Sequence, residues 1–229
     1  MISVKYLNRG YDDSIALIPG WATDYRIFAH LDIKFNYLLP VNFSPFKFEE
    51  DILKALETYK MRKVSLFGWS LGAFVAAEFA SRHPDMVDKL FLIGAGRRYS
   101  TEGIEKIKKY INKNKEAYLY SFYNDCFPDK NQLGSSTQSL LKAYRKEQDA
   151  AHLLKTLDYL ERAEINPDEL RPIKDITIAH GDKDKIAPLK EAASLKNDIP
   201  RARFVLIKSA GHAPFFKKDF DSLLWPPRK

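Results

Sequence analysis

Gly68-Trp69-Ser70-Leu71-Gly72 follows the β-prone run from Lys63 to Phe67 and opens an Ala-rich helical run that reaches Ala80. A serine between two glycines, with strand before and helix after, is the pattern of a nucleophile elbow: the chain turns sharply and leaves the hydroxyl of Ser70 free to attack a carbonyl. The same pentapeptide can serve as a plain turn between two core elements, but the flanking strand and helix favour the catalytic reading. A serine hydroxyl is a weak nucleophile, so it needs a base within hydrogen-bond reach and an acid to orient that base. Both occur downstream in the chain order of elbow hydrolases, acid before histidine. An acid follows the run Ile176 to Ala179, in His180-Gly181-Asp182-Lys183-Asp184, and a histidine follows the run Phe204 to Ile207, in Gly211-His212.

The expected triad is therefore Ser70, Asp184 and His212. Asp182 is the alternative acid, able instead to cap its own turn. His180 is the rival base, at a strand end beside the acid, whereas His212 occupies a post-strand Gly-His turn. His30 and His152 fall in helical patterns and His83 precedes Pro84 at a helix end, where structural roles suffice. The oxyanion formed on attack needs two backbone donors. These are assigned to the N–H of Leu71, which follows the nucleophile, and that of Trp21 in the early loop Ile18-Pro19-Gly20-Trp21-Ala22.

Elements must deliver these residues to one edge. Short β-branched or aromatic runs recur at Ile2 to Leu7, Ile15 to Ile18, Phe35 to Leu39, Val64 to Phe67, Leu90 to Ile93, Ile176 to Ala179 and Phe204 to Ile207. Most are continuous apolar stretches, as in strands buried on both faces. Helical patterns at Glu49 to Lys60, Leu71 to Ser81, Leu189 to Lys196 and Phe216 to Leu224 alternate with them, which predicts a mostly parallel sheet covered on both sides. From Arg97 to about Arg171 no strand is evident, only helical spacing punctuated by Pro128, Gly134 and Pro167. Residues 97–171 are expected to form a helical cap inserted into a core of residues 1–96 and 172–229, over the carboxyl ends of the strands.

The chain carries 229 residues, enough for one domain with a sizeable core, and a formal charge of +7. Thirteen basic and nine acidic side chains between residues 97 and 163 place +4 of that charge on the cap. Within it Lys142, Arg145 and Lys146 fall at i, i+3 and i+4, on one helix face, with Glu147 and Asp149 nearby. A solvated surface and a docking face for an acidic partner both fit that pattern. Cys126 is the single cysteine, which excludes an internal disulfide and suits a reducing cytosol. The N-terminal residues lack an apolar signal core, and no stretch approaches the roughly 20 apolar residues of a membrane span, so a cytoplasmic protein is expected. No metal-ligand cluster or phosphate-binding glycine loop is present, and no cofactor is expected. Basic residues interleaved with exposed aromatics, as in nucleic-acid binders, are not evident. A monomer is expected.

Taken together, the Gly-Trp loop, the Gly68-Trp-Ser-Leu-Gly72 elbow, Gly181-x-x-Asp184-x-x-x-Pro188 and Gly211-His212-Ala-Pro-Phe resemble the α/β-hydrolase family over about Ile15 to Phe220. Within it the chain is most similar to the pimeloyl-[acyl-carrier protein] methyl ester esterases of biotin synthesis. That resemblance implies cleavage of a methyl ester on a carrier-bound acyl chain, with a basic cap meeting the acidic carrier at Lys142, Arg145 and Lys146. By the same analogy Trp21, Leu71, Tyr118 and Phe122 would line the acyl channel; for the two cap residues, packing of cap against body is an equal alternative. Two features depart from the family: Pro19 replaces a common histidine, and Leu39 to Pro45 replaces a Gly-rich loop. Other functions the pattern admits are a broad short-acyl esterase, a C–C bond hydrolase, and a ligand-binding hydrolase fold without turnover.

Overall fold

A computed structural model describes residues 3–127 and 133–225. The first residues of the expected strand at Ile2, the break at Pro128 and the residues after Trp225 lie outside them.

Seven strands form one sheet: β1 (Val4–Leu7), β2 (Ser14–Ile18), β3 (Asn36–Pro40), β4 (Val64–Trp69), β5 (Val87–Ile93), β6 (Asp175–Gly181) and β7 (Arg203–Ile207), in the order β1-β3-β2-β4-β5-β6-β7. Only β1 runs antiparallel to its neighbour; the other five pairings are parallel. Parallel neighbours require crossovers, and these are supplied by α1 (Phe48–Thr58), α2 (Leu71–Arg82) and α6 (Leu189–Asp198), with α7 (Phe220–Leu224) closing the chain. Central strands β4 and β6 are buried over nearly their whole length, whereas edge strand β7 has three half-buried positions. This explains the continuous apolar runs of the central strands: both faces are covered by helices.

Between β5 and β6 stand α3 (Thr101–Cys126), α4 (Ser135–Glu147) and α5 (Ala150–Arg162). Helix α3 is broken at Asn114, which is extended (φ −162°, ψ 91°) and accepts the Ala117 N–H on its side chain at 3.0 Å. Asn114 thus acts as an N-cap within the helical run, a device the hydrophobic spacing did not reveal. Lys108 of α3 meets Glu105, Asp158 and Glu161, each at 2.8 Å, and so ties α3 to α5.

The helix expected over Phe216–Leu224 is shorter. A 3-10 turn at Pro214–Phe216 comes first, Lys217 is extended, and α7 starts only at Phe220. Proline opens the turn but the extended Lys217 stops its propagation. His30, placed by spacing in a helix, instead follows the 3-10 turn Tyr25–Phe28, with its Nε2 at 2.9 Å from the Phe215 carbonyl. Among the described residues no helix is long and apolar enough to cross a membrane.

Candidate active site

Ser70 joins β4 to α2 with φ 54° and ψ −116°, a conformation costly for a residue with a Cβ. The fold imposes it through close backbone packing. A Cβ on Gly68 would lie 2.3 Å from the Gly72 carbonyl oxygen, and one on Gly72 would lie 2.3 Å from that of Ile18 and 2.7 Å from that of Pro19. The elbow therefore presses against the early loop, which only glycines permit. The Ser70 N–H donates to the Ile93 carbonyl at 2.8 Å, locking the turn to β5.

Three strand ends converge here. His212, in the loop after β7, has Nε2 2.8 Å from Ser70 Oγ and Nδ1 2.8 Å from Asp184 Oδ2. Ser70 is 4% exposed and His212 fully buried. Asp184, after β6, uses its other oxygen to accept the N–H groups of Ile186 and Ala187 at 2.8 and 2.9 Å. Burial alone would raise the Asp184 pKa, but His212, His180 and the Ala187 N–H outweigh it and hold the carboxyl below its ordinary range. The carboxylate is acceptor-only, so it fixes the proton on His212 Nδ1 and leaves Nε2 to accept from Ser70.

The rival residues stand apart from this chain of bonds. Asp182 Oδ1 is buried without a partner, while its N–H donates to the Ile207 carbonyl. His180 is fully buried, donates through Nε2 to the Ala187 carbonyl at 2.8 Å and lies 3.4 Å from Asp184. Burial pushes its pKa down, so it stays neutral and braces the loop that carries the acid. His83 pairs with Glu49 at 2.7 Å, and His152 is exposed on α5.

Leu71 is the first residue of α2, so its N–H is one of those a helix start leaves unpaired. The loop carrying Trp21 abuts the same helix turn through Gly72. The Trp21 indole donates to the Leu153 carbonyl of α5 at 3.2 Å and meets Phe122 edge-on at 5.1 Å and Tyr118 at 6.3 Å. Tyr118 and Phe122 of α3 thus touch the loop beside Ser70, and Tyr123 adds a hydrogen bond to the Ala22 carbonyl at 2.5 Å.

Several contacts escaped the sequence reading. Trp69 Nε1 donates to the His212 carbonyl at 2.8 Å, and the His212 N–H donates to the carbonyl of Cys126 at the end of α3, at 3.1 Å. The Tyr99 hydroxyl lies 3.3 Å from Ser70 Oγ. No local pattern marks Tyr99, because it sits in an irregular connection whose path depends on the whole fold. A groove of about 820 Å³ between α2 and α5 is lined by ion-paired Arg82, Arg97, Glu78 and Glu164 rather than by the Ser70 constellation.

The basic trio resides on α4. Lys142 and Lys146 are exposed, and the Arg145 guanidinium lies 5.1 Å from the Tyr120 ring centroid. Lys142 and Arg145 border a cavity of about 160 Å³ whose apolar lining includes Phe127, Leu133 and Leu141.

The chain resembles proteins whose names point the same way. It is 26% identical over 179 residues to a pimeloyl-[acyl-carrier protein] methyl ester esterase of Nitrosomonas europaea, covering 70% of this chain and 71% of that protein. It is 25% identical over 245 residues to one of Chromobacterium violaceum, covering 95% and 93%. Among solved structures, an esterase from Exiguobacterium antarcticum superposes with a TM-score of 0.81 at 18% identity, covering 96% and 92% of the two chains. A bromoperoxidase from Bacillus anthracis matches with a TM-score of 0.81 at 19% identity over the same shares. At such identities the structures speak to the fold alone. The model of the alpha/beta hydrolase fold family matches residues 8–171, which span the elbow and most of the sheet; with the strand order and the Ser70 turn already described, the chain belongs to the α/β-hydrolase family.

Proposed function

We propose that this carboxylic ester hydrolase works through an acyl-enzyme on Ser70, and that its substrate is the methyl ester of a pimeloyl chain borne by acyl carrier protein. The observation carrying the mechanism is the continuous bond chain Ser70 Oγ, His212, Asp184, each link 2.8 Å, at the carboxyl edge of the sheet. Ser70 attacks the ester carbon while its proton passes to His212 Nε2. The N–H groups of Leu71 and Trp21 hold the oxyanion, each worth about 3 kcal/mol of transition-state stabilisation. Collapse expels the alkoxide, which takes the proton from His212 and leaves as methanol; water, activated by the same imidazole, then releases the acid.

Two features support the carrier-bound substrate beyond the names of the relatives. Trp21, Tyr118 and Phe122 form an aromatic cluster on the loop that packs against the helix turn after Ser70, suited to a methylene chain. Of the two acids beside the basic face, Glu147 ends α4 and Asp149 caps α5, and both are engaged elsewhere. Glu147 pairs with Arg26 at 2.9 Å, and Asp149 accepts the His152 N–H at the start of α5. Lys142, Arg145 and Lys146 thus present net positive charge to solvent, complementary to an acidic carrier. On this reading residues 97–171 act as the cap, and the protein works as a monomer in the cytoplasm, where biotin synthesis takes place.

The test compares pimeloyl-[acyl-carrier protein] methyl ester with p-nitrophenyl esters. Wild type should cleave the carrier ester, Ser70→Ala neither substrate, and the Lys142→Glu, Arg145→Glu, Lys146→Glu variant only the small esters at full rate. Wild-type turnover by Ser70→Ala would remove the mechanism; activity confined to small esters would remove the biotin assignment.

A further inference from the structure

We propose that Tyr99 is a second hydrogen-bond partner of the nucleophile, holding Ser70 Oγ in the orientation from which it attacks. The inference rests on Ser70 being the nucleophile and adds a residue that its triad does not include. The Ser70 hydroxyl has one proton and two lone pairs. Its proton is directed to His212 Nε2 at 2.8 Å, and the Tyr99 hydroxyl lies 3.3 Å away as a donor to one lone pair. The remaining lone pair is left for the ester carbon. Burial pushes the Tyr99 hydroxyl well above the usual tyrosine value, so it keeps its proton, and with the Ser70 proton committed to His212 the proton shared between the two hydroxyls is that of Tyr99.

Tyr99 is itself held from three sides. Its ring packs on Phe74 of α2, with centroids 5.6 Å apart. Two residues earlier, the Arg97 carbonyl accepts the N–H of fully buried Ile165 at 2.9 Å, and the Arg97 guanidinium pairs with Glu164 at 2.7 Å. These bonds join the irregular connection from β5 to α3 to the segment returning from α5. The clamp therefore sets where Tyr99 stands, and Tyr99 passes that position to the nucleophile. A serine side chain has three staggered rotamers. With an acceptor on one side and a donor on the other, one rotamer is selected; with the donor removed, the others become accessible.

Tyr99→Phe keeps the ring on Phe74 and removes only the oxygen, so the melting temperature should stay near wild type. Because the effect acts on Oγ before the acyl group arrives, kcat/KM should fall about threefold to tenfold for short and long esters alike. The rate constant for modification by phenylmethylsulfonyl fluoride should fall by the same factor; there Ser70 Oγ bonds to sulfur, fluoride leaves and the proton passes to His212. Deacylation, read from a pre-steady-state burst, should be unchanged. Three results would overturn the proposal: labelling at the wild-type rate or faster, a loss residing in KM for long acyl chains only, or slowed deacylation with normal acylation. Ser70→Ala run in parallel separates the two readings, since activity surviving there removes the serine mechanism itself, whereas an inert Tyr99→Phe beside a dead Ser70→Ala removes only the role of Tyr99.

Discussion

Asp184→Asn tests how the geometry sets the protonation of His212. In the native site one carboxylate oxygen accepts from His212 Nδ1 at 2.8 Å and the other accepts two backbone N–H groups, from Ile186 and Ala187. An amide has one oxygen and one donor nitrogen. The two N–H donors on the loop can face only the oxygen, because an NH2 there would set three donors against one another. The amide nitrogen must then point at His212 Nδ1, which accepts its hydrogen, and the imidazole proton moves to Nε2. In that tautomer His212 cannot take the proton of Ser70. The analogous substitution in a serine protease lowers kcat about 10⁴-fold, which at 1.36 kcal/mol per decade is about 5.5 kcal/mol of barrier. The expected result with p-nitrophenyl acetate is therefore a kcat near 10⁻⁴ of wild type. The circular dichroism spectrum should be native, because the backbone bonds to Ile186 and Ala187 survive. A correctly folded Asp184→Asn enzyme within tenfold of wild type would refute the tautomer argument.

Asp182→Asn should leave kcat within about threefold of wild type, since its buried Oδ1 has no partner and the side chain bonds to neither His212 nor Ser70; a loss comparable to Asp184→Asn in the same assay would reassign the acid. Gly72→Ala should cost about 3 kcal/mol, because the new methyl would stand 2.3 Å from the Ile18 carbonyl oxygen and neither backbone can yield. In a chain of this size that is a fall in melting temperature of about 6 to 12 °C by calorimetry, and an unchanged transition would contradict the packing. Stability should also decline on acidification. Burial holds His180 and His30 below the ordinary histidine value, so below about pH 6.5 the unfolded chain binds more protons than the folded one and stability is lost as pH falls through that window. Asp184 acts in the same direction further down, its contribution present above the unfolded carboxylate value and lost as pH falls through its lower folded one. Melting temperatures should drop steadily from pH 7 to pH 5, less so in His30→Gln; a flat profile would contradict the assignment.

What the sequence by itself determined was local. Each central strand is a short apolar run because both its faces are covered, and the helices between strands show either an apolar stripe, as in α1, or a continuous Ala-rich run, as in α2, so type and order were legible without knowing any partner. The elbow was legible because Gly68, Ser70 and Gly72 lie within five residues between a strand and a helix, whereas the packing of Gly72 on Ile18 and Pro19 that holds the strained turn comes from the fold. Asp184 and His212 could be named because each stands in the loop that follows a strand, and parallel strands deliver such loops to one edge. That Asp184, His212 and Ser70 stand 2.8 Å apart was decided only in three dimensions, across separations of 28 and 142 residues. The sequence favoured Asp184 over Asp182, which could cap its own turn, but that Asp184 meets His212 while Asp182 Oδ1 meets no partner is a matter of tertiary geometry. The break in α3 at Asn114 hid because one capping side chain outweighs a helical pattern that continues on both sides of it. The shortening of the last helix hid because Pro214 and the extended Lys217 act through backbone geometry rather than through hydrophobic spacing. Tyr99 was invisible for the deepest reason: an irregular connection carries no period, and its hydroxyl meets Ser70 only because the sheet, α2 and the clamp at Arg97 and Ile165 together place it there.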